Sequence, residues 1–431
     1  MIQGAYMSRL VIKKRTLYNV FLYPLMMILT YLYIFNPPFQ QLPISPSKLL
    51  YVILLPLFFL KCKRAFFREY TSEVKVFFAI ILYSFAVKIL TSSDAIYAQT
   101  NLFLFVESLF NAFALACLLF WVFEDNVERV FLWCSVVAAL VSVYLILSPG
   151  TNEFVRNSLL IPERELDADF FAFRSFGVSE SLLFTYPVSL GVASCLCLEY
   201  AKKKSLYYLL LPFLLIAIMF NARIGFVPVL VYLGYRIIMA RDFSFIFRFA
   251  GLLLIGFLIL DYSGILDEYE ATVTWLMDGF TEVVNLLSGK EGDKKGNVDV
   301  LSNMIIFPKS ISGIIFGTGK DIYLLSSVGH SDIGYILQIY YGGVVYVILL
   351  FSFIFSVYRK LKRNNIQNKW FNYVFLGTVL LCNVKGYFIT TNSGMRTLML
   401  LAFVFLLYGE FDSNNLVSGQ DEEDINSDSC L

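Results

Sequence analysis

The stretch that decides the fold is residues 333–357, IGYILQIYYGGVVYVILLFSFIFSV. It carries no charged side chain, and a helix needs about 20 apolar residues to cross the hydrocarbon core of a bilayer. Similar apolar runs recur along the chain and predict about 12 transmembrane helices. These predicted spans are 17–35, 47–60, 74–90, 101–123, 130–148, 176–198, 205–221, 224–240, 246–261, 333–357, 370–390 and 395–409. The sequence therefore predicts an all-α polytopic membrane protein.

Composition and charge support a membrane class and exclude some partners. Of 431 residues, 58% are hydrophobic, whereas about half are apolar in a soluble domain. The net charge of +1 gives no overall field that would attract nucleic acid. The hydrophobic composition instead indicates that the lipid bilayer surrounds the chain. Most of the 34 lysines and arginines fall in alternate short connections between the spans. The positive-inside rule then places both termini in the cytoplasm.

Two outer connections are long and divide the chain. Residues 1–260 contain the first nine spans and a charged loop at 149–175, and residues 261–332 form the large outer loop. Residues 333–409 hold the last three spans, and residues 410–431 form an acidic cytoplasmic tail. Apolar residues at helical spacing predict an amphipathic helix over 269–287 in the large loop. A second helical stretch is predicted over 300–307, followed by a flexible, glycine-containing approach to the last spans.

The large loop ends in GHSD at 329–332, which contains the sole histidine of the chain, His330. Imidazole is the side chain that most readily takes and gives a proton near neutral pH. Asp332 is a candidate to orient the ring or to share its role. The alternative interpretation is that His330 is an ordinary polar surface residue. Its place at the entrance of a span favours a catalytic role for His330 and Asp332.

Arginines at the outer boundary are candidates to bind an anion. Arg223 lies in NARIG at 221–225, a tight outer turn between two spans, and its planar guanidinium suits a pyrophosphate group. Arg174 and Arg164 lie in the first long outer loop and are further candidates for the same role. The alternative is that these arginines reach lipid phosphates or solvent.

Charged residues also occur inside predicted spans. Glu107 and Glu180 are intramembrane carboxylates, which are costly unless they are paired. We expect them to pair with nearby cations, of which the sequence offers Lys88, Lys385 and Arg396, or to line a cavity. The outer acidic residues are scattered and show no pattern typical of a metal site.

Together these features resemble the bacterial O-antigen polymerases (Wzy-type), within the O-antigen polymerase and ligase superfamily. The resemblance covers the whole chain, through its number of spans, its cytoplasmic ends and its one dominant outer loop. The local matches are RSFG at 174–177, NARIG at 221–225, and HS at 330–331 followed by GGVV at 342–345. The resemblance implies a GT-C-like arrangement of helices.

The resemblance also implies an activity at the periplasmic face of the bacterial inner membrane. The substrates would be undecaprenyl-pyrophosphate-linked oligosaccharides, and the growing chain would be transferred to a new repeat unit. Arg223, with Arg174 and Arg164, would bind the pyrophosphate, and His330 would take the proton of the acceptor hydroxyl. No cofactor and no metal are implied, and a polysaccharide chain-length regulator is an expected partner.

Three other functions remain open from the sequence. An O-antigen ligase would use the same donor and transfer it to lipid A-core. The ligase pattern has a glycine where this chain has Tyr341, which favours the polymerase. A flippase for lipid-linked oligosaccharides would also have about twelve spans, but the asymmetric outer loop argues against it. A scaffolding membrane protein would need neither Arg223 nor His330.

Overall fold

The computed structural model describes residues 16–93, 96–123, 126–160, 177–180, 184–242, 302–323, 330–365 and 367–409, with isolated helical residues between 251 and 281. It is about 79% helical, and the described residues contain no strand. One isolated bridge joins Phe39 to Leu159. The predicted all-α class is confirmed.

Most of the described helices follow one another with short connections, and the two long intervals lie between α8 and α9 and between α11 and α12. In chain order they are α1 (Thr16–Phe35), α2 (Pro46–Leu49), α3 (Tyr51–Leu57), α4 (Lys63–Leu90), α5 (Tyr97–Phe105), α6 (Ala112–Phe123), α7 (Glu128–Leu147), α8 (Pro149–Ser158), α9 (Thr185–Ala201), α10 (Leu211–Met219), α11 (Val227–Ile238), α12 (Ile311–Phe316), α13 (Gly334–Asn364), α14 (Lys369–Lys385) and α15 (Ser393–Gly409). Two π-helical turns, Phe58–Cys62 and Val106–Asn111, join α3 to α4 and α5 to α6. Two 3-10 helices, Ser205–Leu210 and Arg223–Phe226, precede α10 and α11.

Three helical stretches are long and apolar enough to cross a membrane. They are Tyr97–Phe123, Glu128–Leu147 and Gly334–Asn364, and the last contains all but the first residue of the stretch 333–357. Shorter apolar helices occur at Phe21–Phe35, Ser205–Met219 and Ser393–Gly409. Association with a membrane follows from these helices. The predicted span 246–261 and the predicted amphipathic helix 269–287 lie almost wholly outside the described residues.

Helices α4 and α13 pack side by side in opposite directions. The Tyr83 hydroxyl of α4 donates to the Gly342 carbonyl (2.9 Å), near the start of α13. Ten residues earlier in α4, Glu73 accepts a hydrogen bond from Ser356 (2.6 Å), near the end of α13. The pair therefore brings the beginning of one helix to the end of the other.

Helices α13, α14 and α11 pack in that order, and each runs in the opposite direction to the one before it. At one end of the first pair, Gly334 lies so close to Gly386 that a Cβ at 334 would be 2.3 Å from the Gly386 carbonyl oxygen. At the other end, Asn365 donates to Asn372 (2.9 Å). Helix α11 runs opposite to α14, because Val231 packs on Gly377 and the Tyr235 ring stacks on Tyr373.

These contacts define two ends of the helix bundle. The histidine end is marked by Tyr97, Arg223, Gly334 and Gly386, and the basic end is marked by Glu73, Arg236, Lys360 and Lys369.

Helix α13 is interrupted at Gly343, where the backbone has φ 71° and ψ −175°. Helix α12 packs into the break, and a Cβ at Gly343 would lie 2.2 Å from the Ile315 carbonyl oxygen. The interruption leaves the Tyr341 carbonyl without its usual helical partner, and the Gly319 amide donates to it instead (2.8 Å). Residues 318–319 are thus fixed to α13 by backbone hydrogen bonds.

The sequence prediction for this segment is partly wrong. Of the stretch 300–307, only 302–303 are helical among the described residues, and α12 begins later, after Pro308. Ser310 supplies the reason, because its hydroxyl caps the helix by accepting from the Gly313 amide (3.0 Å). Gly317 and Gly319, which suggested a flexible approach, adopt positive φ angles and dock against α13.

Candidate functional site

His330 and Asp332 lie together directly before α13. His330 Nε2 is 3.0 Å from Asp332 Oδ1, and His330 Nδ1 is 3.1 Å from the Tyr323 carbonyl oxygen. The His330 side chain is 46% exposed and that of Asp332 is 35% exposed, so the pair is accessible. An imidazolium donates to both oxygens at once, whereas a neutral ring donates to only one. Both ring nitrogens of His330 therefore face oxygen atoms of the protein.

Local hydrogen bonds hold this pair in place. The buried Ser331 accepts from the Ile333 amide (3.2 Å) where α13 begins. Asp321 accepts from the Tyr323 amide (2.9 Å), which fixes the turn whose carbonyl faces His330. The Tyr323 ring also lies against the imidazole, with centroids 5.5 Å apart.

Asp321 is a member of the site that the sequence did not single out. Its carboxylate is within 3.5 Å of the Tyr97 hydroxyl, at the start of α5. Burial raises the pKa of Asp321, and the hydrogen bond from Tyr97 opposes that shift. The sequence carries no signal for this contact, because Tyr97 and Asp321 are 224 residues apart.

Arg223 begins the 3-10 helix Arg223–Phe226 and is half-buried. The tight turn predicted over 221–225 is confirmed, since the Gly225 amide donates to the Ala222 carbonyl (3.0 Å). Gly225 packs directly on α9, where a Cβ would be 2.7 Å from the Pro187 carbonyl oxygen. The turn is therefore held rigidly against a buried helix, and Arg223 has a fixed backbone.

Arg223 and His330 lie at the same end of the bundle. Arg223 leads into α11, which runs opposite to α14, so it lies towards the end of α14 that carries Lys385. Gly386 follows directly and contacts Gly334, four residues after His330. The two candidates thus precede two helices, α11 and α13, that each pack on α14. Arg164 and Arg174 lie outside the described residues.

A buried charged cluster lies beneath the histidine end, centred on Arg396. Arg396 Nε donates to Glu107 Oε2 (2.9 Å), Nη2 donates to Glu180 Oε1 (2.5 Å), and Nη1 donates to the Ile34 carbonyl (3.0 Å). The Arg396 side chain is only 2% exposed. The prediction that Glu107 and Glu180 pair with a cation is confirmed, and Arg396 is that cation.

Every carboxylate oxygen in this Arg396 cluster has a partner. The Tyr51 hydroxyl donates to Glu107 Oε1 (2.8 Å), and the Asn36 side-chain amide donates to Glu180 Oε2. Glu107 lies in the π-helical turn Val106–Asn111. Glu180 lies in a bend at 177–180, ahead of α9, so the predicted start of a span at 176 is wrong. The first turn of α9 instead contains Pro187, as is common where helices begin.

This arrangement decides what Arg396 can do. Its three guanidinium nitrogens are all occupied by oxygen acceptors of the protein, so it is not disposed to bind a pyrophosphate. It instead connects α1, the π-helical turn, the bend at 177–180 and α15. We assign the cluster a structural role.

Among the described residues, no three His, Cys, Asp or Glu side chains come together as a metal site would require. No protein-family model and no curated protein matches the chain.

Proposed function

We propose that the protein is a membrane glycosyltransferase of the O-antigen polymerase type. It would join undecaprenyl-pyrophosphate-linked oligosaccharide repeat units into a surface polysaccharide at the periplasmic face of the inner membrane. In this proposal about twelve spans, with both termini cytoplasmic, surround the site. The histidine end then faces the periplasm.

One observation carries the proposal. An exposed histidine, paired with Asp332 and with the Tyr323 carbonyl, lies at the same end of an apolar helix bundle as Arg223. A proton acceptor and a guanidinium at one face are what transfer from a lipid pyrophosphate to a hydroxyl needs. The likeness of the local motifs to the polymerase and ligase superfamily supports the choice of substrate.

The proposed reaction exchanges one bond for another. The acceptor hydroxyl of the new repeat unit attacks the anomeric carbon of the growing chain and forms the glycosidic bond. The bond from that carbon to the pyrophosphate oxygen breaks, and undecaprenyl pyrophosphate leaves with the electron pair. Neutral His330, donating through Nε2 to Asp332, takes the hydroxyl proton at Nδ1, where the hydroxyl replaces the Tyr323 carbonyl as the partner of the ring. The resulting imidazolium is stabilised by Asp332, whose Oδ1 lies 3.0 Å away.

Arg223 would bind the leaving pyrophosphate and stabilise its developing charge, since a guanidinium forms paired hydrogen bonds to phosphate oxygens. Arg174 and Arg164 are proposed as additional pyrophosphate ligands on the resemblance alone. A chain-length regulator is proposed as a partner on the same basis.

Complementation of a deletion strain tests the proposal. Wild type should restore a ladder of surface polysaccharide, while His330→Ala and Arg223→Ala, expressed at equal levels, should leave single repeats. Lys385→Ala is the matched control, because Lys385 is an exposed cation at the same end and should keep the ladder. A full ladder with both His330→Ala and Arg223→Ala would refute the site.

The phenotype of the deletion separates the alternatives. Loss of a polymerase leaves single repeats on the acceptor lipid, whereas loss of a ligase or a flippase leaves no surface repeats. Movement of lipid-linked oligosaccharide between the two leaflets of a vesicle then distinguishes the flippase, since a polymerase should not move its substrate across the bilayer.

A further inference from the structure

At the basic end, far from His330, α4 and α13 line an open cavity of about 220 Å³. Its lining combines three cations with one carboxylate and two hydroxyls. The lining residues are Ser72, Glu73, Ser356, Arg359, Lys360 and Arg363. The proposed glycosyl transfer uses none of them.

The single carboxylate of the cavity is already neutralised. Glu73 is 0% exposed, and its Oε2 lies 3.0 Å from Lys360 Nζ. Ser356 donates to Oε1 (2.6 Å) and Ser72 donates to Oε2 (2.8 Å). Lys360 also lies over the Tyr70 ring, 4.3 Å from its centroid. Glu73 and Lys360 therefore neutralise each other, and their polar atoms already have partners within the protein.

The two arginines keep their charge for a ligand. Arg359 and Arg363 are one helical turn apart on α13, and both are exposed. Neither is ion-paired with a carboxylate in the part of the chain that the structure describes, although Arg363 Nε donates to the neighbouring Asn364 side chain (3.0 Å). The cavity thus presents excess positive charge with the paired donors that suit a phosphate group.

Apolar surface leads away from these arginines towards the middle of α13. Phe355 is one turn before Arg359 and is 40% exposed, and Ile348 lies two turns further on the same stripe and is 59% exposed. On α4, Phe78 is 54% exposed. We propose that the cavity binds the phosphate of an anionic phospholipid whose acyl chains lie along this apolar stripe. A free phosphate ion would use the arginines but not the stripe.

The test measures the equilibrium binding of three probes to the purified full chain in detergent, with native mass spectrometry as the detection method. The probes are dioctanoyl phosphatidylglycerol, dioctanoylglycerol and inorganic phosphate. The variant is Arg359→Gln with Arg363→Gln. The matched control is Lys362→Gln with Lys369→Gln, which removes the same charge from exposed positions at the same end but outside the cavity.

We expect phosphatidylglycerol to bind wild type and the lysine control equally, and dioctanoylglycerol to bind neither. The arginine variant should bind phosphatidylglycerol on the order of tenfold more weakly or worse, because charge-assisted hydrogen bonds are lost. The single variants Arg359→Gln and Arg363→Gln should each lose part of the affinity, and size-exclusion profiles check that all variants fold. Equal binding by both double variants would mean that bulk charge alone attracts the lipid, and would overturn the site. Equal affinity for inorganic phosphate would overturn the assignment to a lipid.

Discussion

Replacing Arg396 with methionine tests the buried charged cluster. Methionine has a comparable length but no charge, so Glu107 and Glu180 would lose their shared cation. Both carboxylates lie in the interior, with side chains 3% and 18% exposed, so neither can regain full hydration in place. The Ile34 carbonyl would also lose its donor.

The expected loss follows from these contacts. Removing one partner of a buried ion pair costs about 3–5 kcal/mol, because the remaining charge stays desolvated. At about 2.1 cal/mol/K per residue, a chain of 431 residues has an unfolding entropy of about 0.9 kcal/mol/K, so Arg396→Met should lower the Tm by about 3–6 °C. Adding Glu107→Gln should recover part of the loss, because it removes one of the two unpaired charges.

Thermal unfolding of the purified protein in one detergent measures these differences. Arg68→Met is the matched control, since Arg68 forms an exposed pair with Glu69 at side-chain exposures of 57% and 36%. Exposed pairs are worth about 0–1 kcal/mol, so this control should hardly change the Tm. If Arg396→Met and Arg68→Met shift the Tm equally, or if Glu107→Gln makes Arg396→Met less stable still, the structural role of the cluster is refuted.

Three further outcomes are expected. Gly343→Ala should lower the free energy of unfolding by roughly 1–3 kcal/mol, because position 343 has a positive φ and a Cβ there would collide with the Ile315 carbonyl. The same assay should show this loss as a lower Tm. The pKa of Asp321 is raised in the folded protein, so the contribution of Asp321 to stability is present at low pH and is lost as the pH rises through the folded-state pKa. Asp321→Asn should therefore raise the Tm near neutral pH and should raise it less in acid. Asp332→Asn should lower the turnover of lipid-linked repeat units less than His330→Ala does, because His330 would take the proton itself and Asp332 would only stabilise the imidazolium.

The sequence predicts the helical elements well where apolar runs are long. All but the first residue of the run at 333–357 lies within α13, and the runs at 101–123 and 130–148 coincide closely with helical stretches that could cross a membrane. Their composition alone dictates helix, since backbone groups in a bilayer must be satisfied within the segment. The sequence does not predict the break at Gly343. Two adjacent glycines at 342–343 permit an interruption of the helix, but the docking of α12 determines which of them adopts the positive φ.

The site is predicted in part. The proximity of His330 to Asp332 follows from their spacing of two residues, and the tight turn at Arg223 follows from two apolar runs that nearly meet. The choice of Arg396 as partner of Glu107 and Glu180 does not follow, because these contacts join positions 289 and 216 residues apart. Spacing gives local neighbours, whereas contacts of this range depend on how the helices pack.

Synthesis of polymer by the purified protein in lipid vesicles tests the central claim most directly. Synthetic undecaprenyl-pyrophosphate-linked repeat units serve as the sole substrate, and mass spectrometry follows both chains and released undecaprenyl pyrophosphate. We predict that wild type forms chains with one undecaprenyl pyrophosphate released for each new bond, and that His330→Ala slows this by about 100-fold or more. Folded wild type that forms no chains, or a His330→Ala variant as fast as wild type, would contradict the proposal.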